Sequence, residues 1–150
     1  MGIFGRNRIE RRTGVSNLLL VGRLLYSLMF IMYGVNHFIK LDMMAQYTGA
    51  MGVPAPKLAV VLTGVMILAG GLSVLLGYKA KLGAAIIFLF LVPTSVMMHA
   101  FWTIEDPMQA MPEMAQFFKN LSMAGAALMI TYFGSGPKSL EATAEELDEP

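Results

Sequence analysis

Four apolar runs dominate this chain, and each is long enough to cross a lipid bilayer. They cover residues 17–39, 57–78, 82–103 and 115–134. A helix needs about 20 mostly apolar residues to span the hydrocarbon core. Because a backbone polar group finds no water there, each run is expected to be helical. The runs therefore predict an all-α integral membrane protein, an antiparallel four-helix bundle with short connections.

The composition supports this class. Hydrophobic residues make up 56% of the chain and charged residues 14%, whereas soluble domains carry about 25% charged residues. The chain has no cysteine, which excludes disulfides, thiolate nucleophiles and thiolate metal sites. The formal net charge of +1 gives no reason to expect nucleic acid as a partner. Membrane lipids are the partners that the composition favours.

The distribution of basic residues predicts the orientation of the helices. Seven basic residues lie on one side of the four runs, namely Arg6, Arg8, Arg11, Arg12, Lys79, Lys81 and Lys138. The other side carries three, Lys40, Lys57 and Lys119. Since basic residues concentrate on the cytoplasmic side of membrane proteins, both termini are expected in the cytoplasm.

Three segments follow from this topology. Residues 1–16 form a basic cytoplasmic N-terminal segment, residues 17–134 the four-span bundle, and residues 135–150 an acidic cytoplasmic tail. From Lys138 onward the tail has the composition of a solvated chain without fixed structure. The run after the basic segment is too long for a signal-peptide core, so the first helix is expected to remain as an anchor.

Prolines mark expected helix starts and one bend. Asp106 followed by Pro107 is typical of a capped helix N-terminus, and Pro112 is expected to open the last helix in the same way. Pro93 lies inside the third run and cannot donate the usual helix hydrogen bond. We therefore expect a bend there that opens space between helices.

Polar side chains on three different runs fall at one expected depth. They are Asn36 and His37 on the first run, His99 on the third, and Gln116, Lys119 and Asn120 on the fourth. With the orientation above, all lie within about 10 Å of the outer boundary, given the helical rise per residue. This arrangement predicts a pocket in the outer leaflet, with Tyr33 as its floor and Trp102 and Glu105 near its rim.

Four short motifs in these same regions carry a family resemblance. They are Gly34-Val35-Asn36-His37-Phe38, Gly52-Val53-Pro54, His99-Ala100-Phe101-Trp102 with Glu105-Asp106-Pro107 beyond it, and Phe118-Lys119-Asn120-Leu121. In this order and spacing, over residues 23–134, the chain resembles the DoxX family of small bacterial membrane proteins. The resemblance implies a four-helix bundle of the bacterial inner membrane that is associated with redox chemistry. Such relatives include the quinone-linked membrane subunit of thiosulfate oxidation, and membrane components of oxidative-stress complexes.

His37 and His99 are the candidate catalytic residues. A neutral imidazole can donate to or accept from a quinone, and it titrates near neutral pH, which suits proton exchange. We therefore hypothesise that the pocket binds a quinone or related lipid as cofactor. The candidate cofactor-binding residues are Tyr33, Asn36, Trp102, Glu105, Lys119 and Asn120.

Each candidate also has an ordinary structural interpretation. A histidine near the end of a span is often an interfacial residue with one hydrated nitrogen. Lys119 can extend its ammonium group to the interface, and Trp102 suits the aromatic belt of a membrane protein. Arg23 lies near the opposite end of the first run, where we expect it to reach the interface or bind a lipid phosphate.

Other cofactors are less well supported by the residues. The 14 methionines offer thioether ligands for copper, but they show no repeated ligand spacing, and methionine also fills apolar gaps. Two facing histidines can hold a haem, but no other feature of the sequence indicates one. No flavin, iron–sulfur, haem or metal motif is visible.

The leading interpretation is a redox-associated subunit of a larger oxidoreductase complex, which is not a complete enzyme alone. The alternative is an accessory or structural subunit of a membrane complex that does no chemistry. A transporter ranks third, because the sequence shows no inverted repeats or broken helices.

Overall fold

The computed structural model describes residues 3–142, with side chains from residue 16 onward. All regular structure in this range is helical. The helices are α1 (Ile3–Ile39), α2 (Leu41–Ala50), α3 (Pro56–Leu76), α4 (Ala80–Met98) and α5 (Pro107–Phe133), with a 3₁₀ turn at Phe101–Thr103. The prediction of an all-α chain is confirmed over the described residues.

Three helical segments are long and apolar enough to cross a membrane. They are Ser16–Ile39, Pro56–Leu76 and Ala80–Thr103, and they match the first three predicted runs. The fourth run lies within α5, which is not among these three. Glu113, Lys119 and Asn120 of α5 lower its mean hydropathy. The fold therefore contains three candidate spans and a fourth long helix of mixed polarity.

Small residues bring α1 and α3 into close antiparallel contact. A Cβ atom added at Gly34 would lie 2.9 Å from Cβ of Leu68, and one added at Gly71 would lie 3.2 Å from Cβ of Phe30. As the number falls along α1 it rises along α3, which defines the antiparallel register. Glycine at these positions lets the two backbones approach, as is typical of helix contacts in lipid.

Small residues of α3 also contact α4. A Cβ atom added at Gly70 would lie 2.8 Å from the carbonyl oxygen of Gly83. The Ser73 hydroxyl donates to the carbonyl of Tyr78 at 2.7 Å, in the turn that joins the two helices. The α3–α4 pair is therefore a hairpin whose helices pack backbone to backbone.

Helix α5 packs against α4 and also contacts α1 through side chains. His99 at the end of α4 faces Glu113 near the start of α5, so these helices are also antiparallel neighbours. On the other side, the hydroxyl of Tyr26 in α1 donates to the carbonyl of Met123 in α5 at 3.2 Å. The buried core between the four long helices consists of Phe30, Ile67, Val74, Ala84, Ile87, Leu91, Ala124 and Ala127.

The described part of the acidic tail is packed rather than solvated. Ser135 and Ser139 are buried. The backbone N–H of Glu141 donates to the carbonyl of Gly77 at 3.1 Å, and its carboxylate accepts from the backbone N–H of Lys79 at 2.8 Å. The expectation of a solvated tail is therefore wrong for residues 138–142, because the chain folds back onto the α3–α4 turn. The remaining residues, 143–150, lie outside the described part of the chain.

The end of the helices where the tail folds back onto the α3–α4 turn is called the tail end. Arg23 holds this end together. Its side chain is 5% exposed. Nη1 donates to the carbonyl of Ser135 at 3.1 Å, and Nη2 donates to the carbonyl of Lys138 at 2.5 Å. The expectation that Arg23 reaches the interface or binds a lipid phosphate is therefore wrong. Free carbonyls after the end of α5 offer its guanidinium group internal partners.

The start of α5 confirms one proline prediction and corrects another. Asp106 caps the helix, since its carboxylate accepts from the backbone N–H of Met108 at 2.9 Å, and Pro107 follows in the first turn. Pro112 does not open the helix but lies inside it. The capped start at Asp106 determines where α5 begins, and the helix continues through Pro112 without that residue's hydrogen bond. Pro93 likewise lies inside α4.

Candidate functional site

A cavity of about 400 Å³ lies at the end of the helices opposite the tail, which we call the histidine end. All five helices contribute to its wall. Its polar or ionisable lining residues are Tyr33, His37, Tyr47, Thr48, Thr63, Thr94, His99, Lys119 and Asn120. The rest of the wall is apolar, formed largely by methionine, phenylalanine and aliphatic side chains. Apolar walls with a few polar groups are typical of small-molecule sites.

The cavity brings together five of the residues that the sequence singled out. Tyr33 and His37 come from α1, His99 from the residue after α4, and Lys119 and Asn120 from α5. Polar groups from three separate helices therefore do meet at one level. Pro93 also lines the cavity, where α4 lacks one backbone hydrogen bond.

Three other candidates lie outside the cavity. Trp102 is 55% exposed and packs edge-on against Phe117, with ring centroids 5.5 Å apart. Glu105 is exposed in the connection before α5. Asn36 is half-buried on α1, but as the neighbour of His37 it points about 100° away around the helix. The sequence places these residues at a common depth along their helices. The rotation of α1 and the path of the connection before α5 nevertheless keep them out of the cavity wall.

His37 is held by its own helix. It is 7% exposed, and its Nδ1–H donates to the carbonyl of Tyr33 at 2.7 Å. Its ring lies edge-on to Phe90 across the cavity wall, with centroids 6.4 Å apart. Gly64 of α3 packs directly against the His37 Cβ. The imidazole therefore has a restricted position, and its second nitrogen makes no hydrogen bond to the described residues.

His99 is held by a carboxylate from another helix. Its Nδ1–H donates to Oε2 of Glu113 at 2.7 Å, with both side chains mostly shielded from solvent. Glu113 was not predicted as a site residue. It falls on the same helical face as Asn120, seven residues later.

Lys119 and Asn120 differ in their surroundings. The Lys119 ammonium group donates to the side-chain carbonyl of Gln116 and lies 5.8 Å from the ring centroid of Tyr33. This places the cation over the face of the ring. Asn120 is buried and lines the cavity, and its amide makes no hydrogen bond to the described residues. It is thus a donor and acceptor available to a ligand.

Helix α2 covers the cavity. It is a helix of ten residues in the connection between the first two predicted runs. Met44, Tyr47 and Thr48 from α2 all line the cavity. Burial raises the pKa of the Tyr47 phenol, and the negative charge of Glu113 raises this pKa further. The phenol therefore stays protonated beside the His99–Glu113 pair at neutral pH.

The matches with known proteins agree with this fold. The sequence model of the DoxX family matches residues 18–100, a range that includes both histidines. "Inner membrane protein YphA" of Escherichia coli (strain K12) is 32% identical over 124 residues, which cover 83% of this chain and 88% of that protein. No solved structure matches this chain. Together with the apolar helices, the two sequence matches indicate a membrane location, and the chain belongs to the DoxX family.

Proposed function

We propose that this DoxX protein binds a quinone or related lipid in the cavity at its histidine end. In this proposal it serves as a redox-associated subunit of a larger oxidoreductase complex. The observation that carries the proposal is the position of the two imidazoles. His37 and His99 come from different helices and line one largely apolar cavity.

The cavity suits an aromatic head group with polar substituents. Its volume of about 400 Å³ falls within the usual range for small-molecule sites. Phe90 and Tyr33 provide aromatic walls, while the imidazoles and the Asn120 amide provide hydrogen bonds at its margin. Such a wall matches a quinone, which is a flat apolar ring with two oxygen atoms.

Two residues of the cavity wall suggest where a lipid tail leaves. Leu89 and Met97 of α4 both line the cavity, yet they are 62% and 48% exposed. Lining residues that stay this exposed indicate a thin or open part of the wall. We infer that an isoprenoid chain passes between these residues into the surrounding lipid.

We further propose that α5 is a fourth span, which places both termini in the cytoplasm. At 27 residues it is about 40 Å long, enough to cross a bilayer. Lys119 and Asn120, which lower its mean hydropathy, line the cavity and do not face the lipid. The asymmetric distribution of lysine and arginine supports the orientation. The cavity then opens at the periplasmic side.

Quinone content and binding test the function directly. The protein is purified in mild detergent, extracted with organic solvent, and assayed for co-purified quinone, then titrated with a short-chain quinone and with its hydroquinone. We expect saturable binding, and hydroquinone binding at least about tenfold weaker for the double variant His37→Ala/His99→Ala, since each histidine offers one hydrogen bond. The matched control is Asn36→Ala/Glu105→Ala, which changes two nearby residues outside the cavity.

The same variants separate this function from that of a purely structural subunit. Loss of quinone binding in the histidine variant with normal complex assembly supports the ligand role. Absence of quinone from the extract, together with no saturable binding by the unaltered protein, would contradict the proposal. Unchanged electron transfer in membranes that carry the histidine variant would favour the structural alternative.

A further inference from the structure

We propose that the cavity prefers the reduced, hydroxyl-bearing form of its ligand, a hydroquinone, over the corresponding quinone. Glu113 is the positioning residue for this preference. The inference rests on the proposed quinone-binding function and specifies which redox form the site recognises. It follows from the hydrogen-bond partners that hold the two histidines.

The proton of His37 is assigned by its partner. The Tyr33 carbonyl, 2.7 Å from Nδ1, can only accept a hydrogen bond, so Nδ1 must carry the proton. In a neutral imidazole the other nitrogen, Nε2, then has a lone pair and no proton. Because the partner is a backbone atom of the preceding helical turn, this tautomer persists as long as α1 is intact.

The proton of His99 is assigned in the same way by a side chain. The Glu113 carboxylate, 2.7 Å from Nδ1 of His99, accepts a hydrogen bond from Nδ1–H, so Nδ1 carries the proton. A carboxylate bonded to Nδ1 selects this tautomer and orients the ring, as it does in catalytic triads. When the ring is neutral, Nε2 of His99 is therefore a hydrogen-bond acceptor, and Glu113 need not touch the ligand itself.

The two histidines therefore present the same chemistry to the cavity. Neutral His37 and neutral His99 each offer a lone pair at Nε2 and no proton. A quinone carbonyl also has only lone pairs and cannot bond to such an atom, whereas a hydroquinone hydroxyl can donate to it. A buried acceptor left unpaired by the wrong ligand costs affinity, so the hydroxyl-bearing form is favoured.

Other wall residues do not reverse this preference. The hydroxyl of Thr63 donates to the carbonyl of Ala59 at 2.7 Å, and the Lys119 ammonium donates to Gln116. These donors are thus already engaged within the protein. The Asn120 amide and the hydroxyls of Tyr33, Tyr47, Thr48 and Thr94 each offer both a donor and an acceptor, so they discriminate little between the two forms.

The tautomers can be measured without any ligand. The chain contains two histidines, so nitrogen NMR of histidine-labelled protein gives two sets of ring signals. Substitution of either histidine assigns them. We expect both neutral rings to carry the proton on Nδ1. A proton on Nε2 of either neutral ring would overturn the inference.

Ligand binding provides the second test. A short-chain hydroquinone, kept reduced under anaerobic conditions, and its quinone are titrated separately. We expect the hydroquinone to bind about tenfold more tightly, the effect of one hydrogen bond. Equal affinities, or tighter binding of the quinone, would overturn this inference but leave the proposed function standing. Failure of both forms to bind would overturn the proposed function and this inference with it.

Variants of Glu113 test its positioning role. Glu113→Leu removes the acceptor, so His99 is free to adopt either tautomer and the preference for hydroquinone should fall. Glu113→Gln retains a carbonyl that can accept the Nδ1 proton, so the preference should be largely kept. A purely structural role would affect both redox forms equally in both variants. If Glu113→Leu fails to fold, the tautomer measurement on the unaltered protein still tests whether His99 carries its proton on Nδ1.

Discussion

The guanidinium group of Arg23 donates from Nη1 to the carbonyl of Ser135 across 3.1 Å, although the two residues are 112 positions apart. This contact joins the first membrane-length helix to the segment that follows α5. A second donor of the same side chain reaches the carbonyl of Lys138. One buried cation therefore holds two backbone carbonyls of the segment that follows α5.

The first prediction concerns this contact. Arg23→Met should loosen the segment from Ser135 to Ser139, because two carbonyls lose a charged donor, at a cost of about 2 kcal/mol. Trypsin cleaves after Lys138, immediately before the buried Ser139. If cleavage follows local opening, it should be about 30-fold faster in the variant.

Lys119→Met is the control for that experiment, since it removes a cation at the histidine end. It should leave cleavage after Lys138 unchanged. Equal cleavage rates in Arg23→Met and the unaltered protein would show that Arg23 does not hold the tail.

The second prediction compares two glycines. Gly70→Ala places a methyl group 2.8 Å from the Gly83 carbonyl oxygen, so α3 and α4 must separate, at a cost of about 2 kcal/mol. Gly125 in α5 has no atom within 4 Å of an added Cβ. Gly125→Ala should therefore stabilise the protein by about 0.5 kcal/mol through the greater helix propensity of alanine.

Thermal or denaturant unfolding in detergent measures both effects. The two substitutions are chemically identical, so a difference of sign isolates the close helix contact. Similar unfolding midpoints for the two variants would mean that α3 and α4 do not approach as closely at Gly70 and Gly83 as described.

The third prediction concerns the start of α5. Asp106→Ala removes the cap on the backbone N–H of Met108 and should lower the free energy of unfolding by about 1 kcal/mol. Glu105→Ala removes a neighbouring exposed carboxylate that caps nothing, and should have a much smaller effect. Unfolding midpoints of the two variants test this, and equal losses would argue against a specific cap.

The fourth prediction concerns pH. Burial raises the Tyr47 pKa first, and the charge of Glu113 raises it further. Glu113→Gln should therefore lower this pKa while leaving it above its ordinary value. Carbon NMR of ring-labelled tyrosine as a function of pH measures the shift. An unchanged Tyr47 pKa would show that Glu113 does not act on this phenol.

This raised pKa also determines how alkaline pH affects stability. The unfolded phenol loses its proton at its ordinary pKa of about 10, while the folded phenol still holds it. Because the folded state then binds more protons, stability falls as pH rises through this window. In Glu113→Gln the interval between the unfolded and folded pKa of Tyr47 is narrower, so the contribution of Tyr47 to alkaline destabilisation should be smaller.

Much of the fold was predictable because its signals are local. Helix formation follows from apolar runs of membrane length, and three of the runs correspond closely to Ser16–Ile39, Pro56–Leu76 and Ala80–Thr103. The Asp106 cap was also readable from neighbouring residues. Each of these features depends on a few adjacent positions in the chain.

The site was predictable only in part. Depth along a helix follows from residue number, so the common level of His37, His99 and Asn120 could be anticipated. Rotation about the helix axis and the path of a connection do not follow from depth. For this reason Asn36 was expected among the cofactor-binding residues and Trp102 near the rim, but neither lines the cavity.

The apolar runs and the helix start signals are properties of short stretches of chain, and they establish an all-helical protein with membrane-length segments. The pairing of His99 with Glu113, the burial of Arg23 against Ser135, and the enclosure of one cavity by five helices arise from long-range packing. Which side chains meet depends on the register and rotation of whole helices against one another. Those quantities are set by the combined contacts of the core, and no single stretch of residues encodes them.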